Sequence, residues 1–186
     1  MRRARWAVAG MAAVAVAVGG GANAVDSNYL ASGWHTVVRG ESATDVAAAS
    51  FQVHVHGATA SPHLDDDELV TSPGLFVLVD VSYATEDAWR TPEEIVLIDA
   101  DGREFTQPSG FGSAGSPWLA GPDIWFRGGL LFEVPADAVA DLTLEVRPER
   151  PNAQLPSTVV RVPLTVTTES SPLTLTYETL LAEGER

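Results

Sequence analysis

The chain has 186 residues, a formal net charge of −14 and no cysteine. All 11 of its basic residues are arginines, and they form no basic stripe. Nucleic acid is therefore excluded as a partner, and an anionic lipid surface is disfavoured. The lack of cysteine excludes disulfides, thiolate zinc sites and a lipid-modified cysteine. Hydrophobic residues make up 45% of the chain, which is enough for the core of one globular domain.

The first 24 residues have the three parts of a secretory signal peptide. Arginines precede an apolar stretch from Trp6 to Val18, and the small residues Ala22 and Ala24 mark a cleavage site. Cleavage after Ala24 would leave a mature chain that begins at Val25. The alternative is an uncleaved signal anchor that extends to about Val25 and is rich in Ala and Gly, which contribute little to membrane insertion. Both interpretations predict an extracytoplasmic domain, either secreted or tethered to the cytoplasmic membrane by this segment.

Beyond this segment the composition indicates strands separated by turns, since the chain carries 16 Gly and 12 Pro and shows no long amphipathic helix. We predict a linker with a first short strand over residues 25–49. An all-β, immunoglobulin-like sandwich of two antiparallel sheets and seven or eight strands follows over residues 50–178. Residues 179–186 are predicted to form a mobile C-terminal tail.

The first half of this sandwich begins with period-two alternation. Phe51, Val53 and Val55 alternate with polar residues, which predicts a half-buried strand. Residues 58–74 read as a polar loop. The nearly continuous apolar run over residues 75–83 is typical of a central strand.

The second half begins with a hairpin. Residues 94–98 and 103–106 flank Asp101-Gly102, a pair that favours a tight turn with positive φ angles. Further strands are predicted over residues 130–134, 142–147, 158–168 and 173–177. Pro163 interrupts the third of these and predicts an edge position or a bulge.

Three sequence blocks occur in a fixed order: GLFVLVDVSYAT, VLIDADGREFTQ and GGLLFEVPADAVADLTLEV. Together they resemble the telokin-like, immunoglobulin-fold exported domains of Gram-positive bacteria, over roughly residues 50–147. The resemblance implies a secreted or membrane-anchored β-sandwich, in a group mostly without assigned activity. It brings no catalytic residues to this chain, which also lacks the cysteine of the lipid-anchored members.

His54 and His56 are the sharpest chemical feature of the sequence. Residues i and i+2 of a strand share a face, so both imidazoles could reach one Zn²⁺ or Cu²⁺ ion. His63 and the acidic run over residues 65–68 follow and could complete the coordination. In the alternative interpretation, His54 and His56 simply occupy the solvent face of their strand. The acidic run by itself indicates a solvated loop rather than a Ca²⁺ site, because contiguous acids point in different directions.

Four aromatic residues crowd into a segment otherwise rich in Gly, Ser and Pro: Phe111, Trp118, Trp125 and Phe126. Exposed aromatic clusters are typical of binding surfaces. We therefore predict that this aromatic loop contacts another envelope or secreted protein. The alternative is that the rings close one open end of the sandwich.

Catalysis finds little support in the sequence. Ser113 misses the first glycine of a G-x-S-x-G elbow, and an all-β chain lacks the strand-to-helix turn that this motif requires. The leading prediction is a noncatalytic exported accessory domain without a cofactor. A zinc- or copper-binding domain is the alternative, and a hydrolase ranks third.

Overall fold

The structure, a computed structural model, describes residues 35–48, 50–109, 111, 120–148, 157–175 and 178–186. Contacts along the chain define a main unit, Thr36–Arg150 together with Thr158–Arg186. A second unit comprises Met1–His35 and Pro151–Ser157, of which only two residues are described. The predicted signal segment and its cleavage site lie outside the described residues. In the part of the chain that is described, no helix has the length and apolarity needed to cross a bilayer.

The described residues form twelve strands and one short 3₁₀ helix, Val139–Asp141. The strands are β1 (His35–Arg39), β2 (Asp45–Ala48), β3 (Phe51–Asp66), β4 (Glu68–Thr85), β5 (Pro92–Ile98), β6 (Glu104–Thr106), β7 (Phe126–Val134), β8 (Thr143–Pro148), β9 (Ser157–Pro163), β10 (Val166–Thr168), β11 (Leu173–Thr174) and β12 (Thr179–Leu180).

These strands form two sheets. The five-stranded sheet has the order β1-β9-β8-β5-β6, and the seven-stranded sheet has the order β10-β3-β4-β7-β12, with β2 and β11 also paired to β3. The all-β, immunoglobulin-like two-sheet sandwich predicted from sequence is confirmed. The predicted strand number was too low, because β2 and β12 are only four and two residues long and leave no pattern, and because the stretch predicted as one strand over residues 158–168 forms both β9 and β10. Pairing is mostly antiparallel, but β10 and β11 run parallel to β3.

The main core lies between the two sheets and follows from the alternation of the strands. The seven-stranded sheet contributes residues such as Val79 and Phe132, and the five-stranded sheet contributes residues such as Leu144 and Val162. Each of these four side chains is at most 1% exposed. The run over residues 75–83 is confirmed as a central strand, since β4 pairs with β3 on one side and β7 on the other.

A second apolar cluster lies on the opposite, outer face of the seven-stranded sheet. It contains Leu64, Phe76, Leu131 and Leu173. Phe111 packs edge-on against Phe76, with ring centroids 5.7 Å apart. The segment around β11 thus covers part of this outer face, and the remaining part carries the polar residues described below.

The prediction of a polar loop over residues 58–74 was wrong. This stretch continues β3 and β4 into one long hairpin whose tip is Asp67, with φ 61°. Two irregularities in the β3–β4 register, at Val55/Gly57 and at Ser61/His63, break the alternation of apolar and polar residues. The pattern by which a strand is recognised was therefore lost in the sequence.

The predicted hairpin between β5 and β6 is confirmed, although only Gly102 of its turn has a positive φ, at 79°. The Asp99 carboxylate accepts hydrogen bonds from the backbone of Asp101 (3.0 Å) and Arg103 (2.8 Å). The Arg103 side chain also donates to this carboxylate. Asp99 therefore fixes the turn from within, and the predicted structural role of the segment agrees with this geometry.

Residues 179–186, which were predicted to form a C-terminal tail, contain a short strand in the structure. Strand β12 pairs with β7, with Thr179 opposite Arg127, and the Leu181 amide donates to the Trp125 carbonyl at 2.9 Å. The Arg186 side chain then reaches both Trp125 and Asp45. Few-residue strands and side-chain contacts hold this segment in place, and neither leaves a periodic sequence signal.

Candidate functional site

One end of the sandwich carries an exposed tryptophan whose ring lies against the backbone of a neighbouring segment. Trp89 is 55% exposed and lies in the turn after β4, which ends at Thr85. Its indole lies across the backbone of Gly121, because a β-carbon placed at Gly121 would lie 2.8 Å from ring atoms Cε2 and Cζ2. Only glycine leaves room for the ring in this position. We name Trp89 together with residues 120–124 the Trp89 surface.

The backbone around Trp89 is tied to the segment over residues 120–124. Arg90 and Ala120 exchange two backbone hydrogen bonds of 2.9 and 3.0 Å. Thr85 is fully buried, donates from its hydroxyl to the Ala88 carbonyl at 2.6 Å, and accepts at its carbonyl from the Asp123 amide at 2.9 Å. The turn that presents the indole is therefore ordered before any partner arrives, which lowers the entropic cost of association.

The structure distributes the predicted aromatic loop over different environments. Trp125 is buried, with only 5% of its surface exposed, and Arg186 stacks on its ring at 4.3 Å. Phe126 is half-buried and packs against the main core, and Phe111 contacts Phe76. Trp118 lies outside the described residues. The prediction that Trp125 offers an exposed surface is contradicted, because the C-terminal segment covers it.

Trp89 was not among the binding residues predicted from the sequence. Its signal was a single tryptophan in a polar turn, directly after an apolar strand, where no period assigns it to the core. The aromatic-rich segment and Trp89 nevertheless meet at the same end of the sandwich, since residues 120–124 pair with Thr85 and Arg90.

His54 and His56 share one face of β3, as predicted, with ring centroids 4.5 Å apart. Nδ1 of His54 donates to Asp45 Oδ1 at 2.7 Å. Nε2 of His56 shares a hydrogen bond of 2.7 Å with the Ser82 hydroxyl. One nitrogen of each ring is therefore engaged within the protein, and metal binding by this pair stays a prediction that rests on the two remaining nitrogens.

The pKa values on this face differ with the neighbours of each group. Burial lowers the pKa of His56 below its usual 6.5, and the positive charge of Arg127 adds to this effect. Burial acts to raise the pKa of Asp45, but hydrogen bonds from Arg186 and His54 outweigh it and hold that pKa below its usual value. Near pH 7, His56 is therefore neutral and Asp45 is ionised.

His63 does not join the other two histidines. It lies seven residues beyond His56 on β3, and at about 3.3 Å per residue this separates the two by roughly 20 Å. Its Nδ1 instead shares a hydrogen bond of 3.0 Å with Thr71. Within the described residues, no group of three or more His, Cys, Asp or Glu side chains could hold a metal ion. The predicted three-histidine site was wrong, because the extended strand places His63 too far from His56 for both to bind one metal ion.

Ser82 and His56 have the separation of a nucleophile and its general base, which is the pair that a hydrolase would require. Ser82 is fully buried, with 0% exposure. Its neighbours in the strand pair with β3 and β7, so their amides belong to the sheet ladder rather than to an oxyanion hole. The hydroxyl is therefore out of reach of a substrate, and the hydrogen bond to His56 satisfies the buried Ser82 hydroxyl.

The lowered pKa of His56 predicts a loss of stability on mild acidification. The unfolded chain takes up a proton near pH 6.5, whereas folded His56 does so only at lower pH, so stability falls as the pH drops through this window. We expect His56→Gln to flatten the dependence of the urea midpoint on pH between about pH 7.5 and about pH 5.5, because glutamine does not titrate in this range. An identical slope in the variant and the wild type would contradict this assignment.

Comparisons with known proteins add little to this picture. No protein-family model matches the chain, and no curated protein matches it. A solved structure of a lipoprotein candidate (ycdA) from Bacillus subtilis is similar over 78% of this chain, with 14% sequence identity and a TM-score of 0.45. The matched region covers 40% of that protein. Nothing about function follows from a likeness of this size, and the chain is assigned to no family by these comparisons.

Proposed function

We propose that this chain is a noncatalytic exported domain that contacts another protein through the Trp89 surface. The observation that carries the proposal is the exposed indole of Trp89, held over Gly121 by an ordered turn. Tryptophan is enriched among the residues that dominate binding energy at protein interfaces. A rigid aromatic side chain also loses little conformational entropy on binding.

Export is part of this proposal, and its support is the sequence of the first 24 residues, with arginines, an apolar stretch and small residues at positions 22 and 24. The resemblance to telokin-like exported domains points in the same direction but rests on three short sequence blocks. N-terminal sequencing of the protein recovered from the medium tests this part. A mature chain that begins at Val25 is expected, and accumulation of uncleaved protein in the cytoplasm would contradict export.

The contact is tested with purified domain as bait and the extracytoplasmic proteins of the producing cell as prey. Trp89→Ala should lower capture of the partner by at least roughly tenfold, the loss typical of a central interface tryptophan. Leu180→Ala is the matched control, since Leu180 is a comparably exposed apolar residue (64%) on β12. Equal capture by Trp89→Ala and wild type would remove the proposed surface.

A second variant displaces the indole without deleting it. A methyl group at Gly121 would overlap the Trp89 ring, so Gly121→Ala should push the indole out of its place. We expect capture to fall while the melting temperature changes by only a few degrees, because the ring is already more than half exposed. Retained capture in Gly121→Ala would show that the position of the ring is unimportant.

A further inference from the structure

The outer face of the seven-stranded sheet carries a groove that the proposed protein contact does not use. Its floor is formed by β3, β4 and β7, and its volume is about 1140 Å³. Thr165 and Thr167 line it on the side of β10, Thr179 of β12 lines the opposite side, and Leu175, which follows β11, also lines it. This volume is sufficient for several linked small units, since ligand sites usually measure about 300–1,000 Å³.

The charged groups in this groove neutralise each other. Arg127 donates twice to Asp80, from Nε at 2.9 Å and from Nη2 at 2.6 Å. His56 also lines the groove, and its lowered pKa leaves it uncharged near pH 7. The groove is thus locally neutral although the chain carries a net charge of −14. A ligand with strong charge of either sign finds no complementary field here.

Hydroxyl groups provide most of the other polar contacts. Thr59 on the floor and the threonines on both sides of the groove each carry one donor and two acceptor sites. The Asp80 carboxylate adds acceptors and the Arg127 guanidinium adds donors in a fixed plane. Leu78 and Leu175 supply apolar surface between them. Alternating donors, acceptors and small apolar patches match a ligand that is itself rich in hydroxyl groups.

An extended peptide is a poorer match for the same groove. The floor is the face of a sheet, and the backbone groups of β4 are already paired with β3 and β7. A bound peptide backbone would find side chains only and would leave many of its own amides without partners. Strand addition requires a free sheet edge instead.

One residue on the floor of the groove, Gly57, has no side chain and leaves free space above the sheet. Gly57 sits at the register irregularity of β3, opposite Asp80. A β-carbon built at Gly57 meets no atom within 4 Å. A side chain at this position would therefore start in open space on the floor of the groove, which provides a selective way to block the groove.

We propose that this groove binds a neutral oligosaccharide, with Asp80 and Arg127 as the orienting pair and the threonine hydroxyls as secondary contacts. The site is separate from the Trp89 surface, so it stands or falls independently of the proposed protein contact.

The test is an NMR titration of the ¹⁵N-labelled domain with three probes: cellohexaose, chitohexaose and maltohexaose. The expected result is saturable shifts of the Gly57, Thr59 and Thr167 amides with at least one probe. Gly57→Tyr should weaken that binding by at least roughly tenfold, because the added ring occupies the groove and keeps the ligand from its hydrogen bonds to Asp80 and Arg127. Gly57→Ala is the matched control and should bind as the wild type does.

Arg127→Met provides a second test if Gly57→Tyr does not fold. It removes the guanidinium that fixes Asp80 and should also weaken binding by roughly tenfold. No saturable shift with any of the three probes would overturn the proposal. Shifts that persist in Gly57→Tyr, or binding only to a heparin hexasaccharide or to an unstructured peptide, would overturn it as well.

Discussion

Replacement of Glu145 by alanine is expected to lower the free energy of unfolding by about 3–5 kcal/mol, the usual cost of removing one partner from a buried ion pair. Glu145 lies on β8 and has no exposed surface. Its carboxylate accepts from Arg147 at 2.6 Å and from Arg161 on the neighbouring strand. The substitution leaves two guanidinium groups without their common partner.

Arg147 extends this network to the surface, where Glu94 and Glu104 each accept a hydrogen bond of 2.6 Å. Glu104→Ala is therefore the matched control, because it removes a carboxylate from the same arginine but is 48% exposed. An exposed pair of this kind contributes about 1 kcal/mol or less. Urea unfolding of both variants measures the difference. A change below about 1 kcal/mol for Glu145→Ala would contradict the network's stabilising role.

The same network predicts an acid-dependent loss of stability. Burial acts to raise the pKa of Glu145, but hydrogen bonds from Arg161 and Arg147 outweigh it, so this pKa lies below its usual 4.5. A carboxyl group with a lowered folded pKa stabilises the fold above the unfolded value and loses this effect as the pH falls through the folded value. We therefore expect the stability of the wild type to decline below pH 4.5, and this component to be absent in Glu145→Ala.

The two tryptophans at the Trp89 end should respond in opposite ways to truncation. Trp125→Ala is expected to cost about 3–5 kcal/mol, because it removes a large side chain that is 95% buried and leaves a cavity. It also removes the ring on which Arg186 stacks. Trp89→Ala should cost less than about 1 kcal/mol, because that indole is largely in water already.

Thermal unfolding of both variants checks this contrast. The loss in Trp125→Ala corresponds to a fall of the melting temperature on the order of 10 °C. Arg186→Ala is a further control and should cost about 1 kcal/mol or less, the contribution of an exposed cation–π contact. Equal stability losses in Trp89→Ala and Trp125→Ala would place both rings in the core and would remove the basis of the Trp89 surface.

Export signal, fold class and central strand were all predictable from local patterns, and the latter two are confirmed. The period-two alternation over residues 51–55 and the apolar run over residues 75–83 predicted two strands whose side chains form part of the core. The prediction for residues 58–74 failed because two register irregularities and Pro62 interrupt the alternation of apolar and polar residues. Its polar composition then resembled a loop, although cross-strand pairing holds it as a hairpin.

The exposure of single aromatic residues could not be predicted for a different reason. Trp125 is buried by residues near the C-terminus, far away in sequence, and no local pattern reports such a contact. The Trp89 ring lies over Gly121, where a β-carbon would overlap it, and no local pattern reports this contact between distant residues either. The histidine pair shows the opposite case: spacing alone placed both rings on one face, but it could not foresee that Asp45 and Ser82 engage them.

Site-specific photocrosslinking in living cells tests the central claim most directly. A photoreactive phenylalanine derivative replaces Trp89 in one strain and Leu69, a comparably exposed residue (63%) near the hairpin tip, in another. Position 89 is expected to crosslink to one extracytoplasmic protein, and position 69 is not. Identical crosslink patterns at both positions, or crosslinks at position 69 alone, would contradict the assignment of the contact to the Trp89 surface.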